Sequence, residues 1–115
     1  MKWTTIGFDK EVRVEDNGIN YVEDYRTFGG TLPDDGAVSF RPVREYGVLE
    51  VYALRTGYAL ITFDMANPII NIVTQSGATW ETTTGVLDGT TGTDGAITVS
   101  IDAATKRIYI ENRSG

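Results

Sequence analysis

Neither cysteine nor histidine occurs anywhere in the 115 residues. The first absence removes disulfides, zinc–thiolate sites and a thiol nucleophile together. The second removes Ser-His-Asp chemistry, histidine-ligated metals and the commonest general base. No apolar run approaches membrane-spanning length, so no membrane partner is expected. The opening residues, MKWTTIGFDKEV, lack the apolar stretch of a secretory signal. Positive charge is also scarce: ten Lys and Arg stand against sixteen Asp and Glu, a net charge of −6. Phosphate backbones would be repelled over most of such a surface, which excludes nucleic acid as a default partner. Residues 1–36 hold eight acidic and four basic side chains, and the remainder eight and six. Solubility is the plain reading of that acidity.

Hydrophobic residues make up 41% of the chain and charged ones 23%, a globular composition long enough for one domain spanning residues 1–115. Its periodicity is that of strands. In GVLEVYAL, Leu49, Val51 and Ala53 share one face; in GYALITFDM, Ala59, Ile61, Phe63 and Met65 do the same. Arg55-Thr56-Gly57 between them is a hairpin connection. AITVSI turns Ile97, Val99 and Ile101 inward and pairs with RIYIEN across Asp102–Lys106. Asn17-Gly18 marks a further hairpin within DKEVRVEDNGINYVEDY. Weaker strands are expected at Glu11–Val14, Ile19–Val22, Ala37–Arg41 and Ala78–Thr82. PIINIV, apolar on both faces, reads as a central buried strand introduced by Pro68. The fold class expected is all-β, a single antiparallel β-sandwich or jelly roll of about eight strands.

One stretch breaks the alternation. From Thr82 to Ala96, twelve of fifteen residues are Thr, Gly or Asp, with Val86 and Leu87 as the anchors. It matches neither phosphate-binding glycine pattern and no helix follows it. Asp88 and Asp94 are two acids where a calcium loop concentrates three or more, so no metal and no cofactor are expected. A two-carboxylate hydrolase could draw on Asp34-Asp35, Asp9 with Glu11, Glu15-Asp16 or Glu23-Asp24. Adjacent strand residues face opposite ways, however, and LPDDG is a turn sequence in which Pro33 pre-sets φ and the aspartates cap local amides. No catalytic residue is assigned and the chain is read as a non-enzyme. Asn112-Arg113-Ser114 matches a glycosylation acceptor, a tripeptide common by chance. Tyr52, Tyr58 and Tyr109 alternate away from the aliphatic faces of their strands. With Trp80 beside the Thr/Gly stretch they form the candidate ligand-binding set, against ordinary packing or a subunit interface.

GTTGTDGAITVSIDAATKRIYIENRSG, Gly89 to Gly115, resembles stretches of small virion-associated proteins and tail-fibre modules of tailed bacteriophages, over about a quarter of the chain. The resemblance implies a structural or adhesive virion component acting through capsid or tail subunits, most simply as a homo-oligomer, and transfers no functional residues. A capsid decoration or an accessory head or tail part is the leading expectation. A receptor- or carbohydrate-binding module, with a host glycan as ligand, is the alternative. Such sequences carry a further strand after the ENRSG-like turn, and none follows here. Ile108–Asn112 is therefore expected as an open edge, with Ile108, Ile110 and Asn112 as candidate interface residues. Three readings are open: a distant segment of the chain such as the N-terminal strand pairs with that edge, which is the simplest, a neighbouring subunit donates a strand, or the chain is a truncated product.

Overall fold

The computed structural model describes the backbone of residues 2–15, 18–42, 44–53 and 57–115, with side chains from Leu32 onward within those ranges. The strands are β1 (Lys2–Glu15), β2 (Gly18–Thr31), β3 (Gly36–Phe40), β4 (Tyr46–Ala53), β5 (Gly57–Asp64), β6 (Ile69–Ser76), β7 (Trp80–Thr84), β8 (Ile97–Asp102) and β9 (Arg107–Asn112). No helix occurs among the described residues, so the fold is all-β. Seven strands form the two layers whose side chains are described: β4-β5-β6 in one sheet and β3-β9-β8-β7 in the other. The β1–β2 hairpin extends the first layer to the order β2-β1-β4-β5-β6 through pairing of Trp3–Phe8 with β4.

The period-2 pattern decides which side chains meet. Leu49 pairs with Ile61 and Val51 with Ala59 in the antiparallel β4–β5 register, and all four are buried. From the opposing sheet Ile97, Val99, Ile101, Ile108 and Ile110 join the same apolar cluster, which Leu32, Phe40, Met65 and Trp80 complete. Each fully buried aliphatic side chain of this kind contributes about 1.5–3 kcal/mol relative to leaving it in water. The arrangement is sandwich-like, with one core between two sheets.

Four features depart from expectation. PIINIV does not run through the middle. Its residues form β6, the terminal strand of its sheet, with Ile70 and Ile72 packed on the core while Ile69 (52% exposed) and Val73 (58%) face out. Apolar residues on both faces of the segment mimic two-sided burial, yet only one face is covered, and Val73 is the extra residue of a bulge opposite Leu60/Ile61. The pairing is not wholly antiparallel, as a sandwich or jelly roll was expected to be: β7 lies parallel to β8, so residues 85–96 cross over between them. The weak strands at Ala37–Arg41 and Ala78–Thr82 are β3 and β7, displaced by one or two residues. The strands expected at Glu11–Val14 and Ile19–Val22 lie inside the fourteen-residue β1 and β2. The connections at Asp16-Asn17 and Leu54–Thr56, and with them the Asn17 and Arg55-Thr56 turn signals, lie outside the described residues.

The fourth correction concerns the C-terminus. β9 is not an edge. Val38 pairs with Ile110 on one side and Val99 with Ile110 on the other, so β3 and β8 satisfy both edges of the strand. Ile108, Ile110 and Asn112 are buried in the core and present no outward interface. The first of the three readings therefore describes the strand, with β3 and not the N-terminal strand as the distant partner.

Candidate functional site

The Thr/Gly/Asp stretch is organised from beneath by a side chain that alternation would send to solvent. Glu111 sits on the outer face of β9, and residues 85–96 fold over that face, leaving it fully buried. Its carboxylate accepts backbone N–H bonds from Gly89 (2.9 Å) and Thr91 (3.1 Å) at Oε2, and from Gly92 (2.7 Å) at Oε1. Three converging amides are the geometry that glycine-rich loops offer to an anion. Here the anion is the protein's own. Gly92 is required by close approach: a Cβ there would lie 2.7 Å from Glu111 Oε1. Gly89, at φ +106°, is required by conformation as well, and its Cβ would collide with the Asp35 carbonyl.

Other contacts tighten the same crossover. The Ser100 hydroxyl donates to the Gly85 carbonyl (2.6 Å), and Leu87 is buried whereas Val86 is half exposed. Only one of the two expected anchors is therefore an anchor. Asp88 Oδ1 accepts from Thr90 N (2.8 Å), Thr90 Oγ1 (2.9 Å) and Thr91 Oγ1 (2.9 Å). These bonds, led by the Thr90 amide, hold its carboxyl below the usual carboxylate range. Asp94, the other acid of the stretch, is largely exposed and 3.9 Å from Arg113 Nη2.

Arg113 joins this crossover to the turn before β3. Its Nε donates to Asp35 Oδ1 (3.0 Å) and its Nη1 to the Gly92 carbonyl (2.7 Å). Asp35 keeps the guanidinium charged, raising its already high pKa. Asp34 Oδ1 accepts from the Gly115 amide (3.1 Å). LPDDG is thus the expected turn, closed by Gly36 N to the Pro33 carbonyl (3.1 Å), but its aspartates bind the distant C-terminal tail and not local amides. The Asn112 amide donates to the Leu32 carbonyl (3.1 Å), and its oxygen accepts from Ser114 N and Oγ. That buried side chain is committed within the fold and is no glycosylation acceptor there.

Between β7 and the crossover lies a cleft of about 390 Å³ whose lining includes Glu81, Thr83, Leu87, Thr93 and Thr98. The Thr98 hydroxyl is buried and has no hydrogen-bond partner. No group of three Asp or Glu side chains among the described residues is placed to hold a metal ion.

The aromatic candidates do not converge. Trp80 is buried in the core, its indole N–H donating to the Ser76 carbonyl (3.1 Å), so it is packing and not a ligand platform. Tyr52 and Tyr58 are cross-strand partners on the outer face of β4–β5, with ring centroids 4.8 Å apart and planes at 43°. The Tyr58 hydroxyl donates to Glu50 Oε1 (3.0 Å). Burial, followed by that bond and the Glu50 charge, pushes its pKa up to about 12. Tyr109, half-buried, belongs to the other sheet. Reasoning from sequence missed Glu111 and Arg113. The available signal was a run of glycine amides that must find acceptors, followed in the same hairpin by an acid amid apolar residues.

Comparison of the chain with protein-family models, with curated proteins and with solved structures returns no match.

Proposed function

We propose that this chain is a non-enzymatic structural part of a tailed-phage particle, a β-sandwich that decorates the capsid or serves as an accessory head or tail protein. The observation that carries this reading is the outward face of the β4–β6 sheet. Tyr46 (58%), Tyr52 (42%), Ile69 and Val73 are large apolar or aromatic side chains left half in water on β4 and β6, the two strands that flank β5. Partly exposed aromatic and aliphatic groups of this kind are what subunit interfaces bury. The ionisable groups gathered at the other sheet are engaged in holding it together: Glu111, Asp34, Asp35, Asp88 and Arg113 all bind backbone or one another. Symmetry-related copies on a shell would add avidity that one weak contact lacks. The test is co-sedimentation of the purified chain with particles assembled without it. Saturable uptake at a fixed ratio is expected; a chain that stays wholly in the supernatant would sink the proposal.

The paired Tyr52 and Tyr58 rings favour a second reading, a glycan-binding module of a tail fibre, since aromatic faces stack on sugar rings. Binding on a broad glycan panel that is lost in Tyr52→Ala, with unfolding unchanged, would establish it. Silence across the panel would count against it.

A further inference from the structure

Four strands terminate the two sheets: β2 and β6 in one, β3 and β7 in the other. An unpaired edge is a template for another strand unless charge, shortness or irregularity blunts it. β2 carries Glu23, Asp24 and Arg26 in its sequence. β3 has five residues and is flanked by Asp34-Asp35 and Arg41; β7 also has five and includes Glu81. β6 differs from all three. It has eight residues, IINIVTQS, none of them ionisable. It lies within Met65–Trp80, the longest uncharged tract of the chain. Among the described residues no strand pairs with its outer side, and Ile69 and Val73 are more than half exposed along it.

We propose that β6 is a self-association edge, where a second copy of this chain adds its own β6 antiparallel and joins the two sheets into one. Charge selects a second copy as the occupant. Two chains of net charge −6 repel over most of their surfaces, and the uncharged tract is where identical copies meet without setting like charges opposite one another. Geometry selects the same arrangement. Antiparallel pairing of identical strands has a two-fold axis by construction, so the contact closes after two copies and does not propagate into a fibre. The bulge at Val73 limits the regular edge to short stretches on either side of it. The contact is therefore of the small class that dissociates on dilution.

The experiment is light scattering on the purified 115-residue chain over a concentration series. The mass is expected to rise from 12.6 kDa toward twice that value. Ile69→Lys and Val73→Lys place a charge on half-exposed positions of the edge and are expected to stay at the single-chain mass throughout, with wild-type thermal unfolding. Tyr46→Lys, equally exposed on the same sheet but on β4, is expected to associate like the wild type. Hydrogen exchange on the wild type supplies a readout that needs no variant: protection of β6 amides is expected to increase with concentration. A wild-type mass that never rises overturns the proposal, as does association that survives both lysine substitutions or leaves β6 amides unprotected. The proposal stands apart from the particle reading. A monomer that still binds particles refutes the edge alone, and a β6 dimer that binds none refutes the particle role alone.

Discussion

Replacing Glu111 by Gln tests the central structural claim with almost no change of shape. The carboxylate serves three amides with two oxygens, Oε1 for Gly92 and Oε2 for Gly89 and Thr91. Glutamine retains one acceptor oxygen. Its NH2 must then face either the Gly92 donor or the pair from Gly89 and Thr91, leaving one or two buried N–H groups opposed by another donor. Each buried orphan costs about 1–3 kcal/mol, and each surviving bond loses the strengthening that a charged acceptor gives it. The expected destabilisation is therefore about 3 kcal/mol, a large share of the 5–15 kcal/mol typical of a whole domain. Glu111→Ala is expected to cost at least as much, because all three amides lose their acceptor.

Urea unfolding reads the loss as a lower midpoint at unchanged slope. Hydrogen exchange localises it: amides of Gly89, Thr91 and Gly92 are expected to lose protection before those of β8 and β9. A Glu111→Gln variant within about 0.5 kcal/mol of wild type, or one in which protection falls evenly across the sheet, would refute the claim that this carboxylate pins the crossover.

Two further predictions concern neighbouring groups. Thr98 carries a buried hydroxyl without a partner, so Thr98→Val is expected to leave stability unchanged or raise it by up to about 1 kcal/mol; a lowered urea midpoint would mean that the hydroxyl is bonded after all. Tyr58 has its pKa raised to about 12 from 10.0, so above pH 10 the unfolded chain releases this proton while the folded one keeps it. Its stabilising contribution is therefore complete below pH 10 and is lost as pH rises toward 12. Phenolate absorbance should show a component near pH 12 that Tyr58→Phe removes, and Glu50→Gln should bring that component earlier; an unmoved titration would remove the Glu50 bond from the explanation.

Legibility followed the physics of each element. The β4–β5 hairpin was readable because one face is buried and the other is not, which writes a clean alternation into Leu49–Ala53 and Ala59–Met65. β8 shows the same alternation in Ile97–Ile101 even though Thr98 and Ser100 on its other face are buried as well. β6 was misread for the converse reason. A run that is apolar on both faces and uncharged tells of low polarity, and low polarity suits either a buried central strand or an edge awaiting a partner. Glu111 was unreadable by alternation, because its burial depends on a crossover whose amides lie 19 to 22 residues away in the chain. Tyr52 and Tyr58 were placed on the outward face correctly, while Trp80, beside the crossover in sequence, is turned beneath it into the core. Proximity along the chain carried no information about which side of the sheet the indole would occupy.

The parallel β7–β8 pair explains why the crossover has the composition it does. A parallel connection must pass across a face of the sheet, and a helix is the usual means because it satisfies its own backbone and buries an apolar stripe. Twelve residues rich in Thr, Gly and Asp can do neither, so their amides need acceptors supplied from elsewhere. Glu111 supplies three, Asp88 one, and the Arg113 carbonyl another through Gly95. The same Arg113 then ties the crossover to Asp35, and Asn112 and Asp34 bring in the residues beside it. ENRSG, which looks like a turn into a missing strand, is therefore the clamp that lets an apolar-poor crossover cover a sheet. Closing β9 in this way leaves the open-edge question to β6, where the chain offers no charge and no clamp.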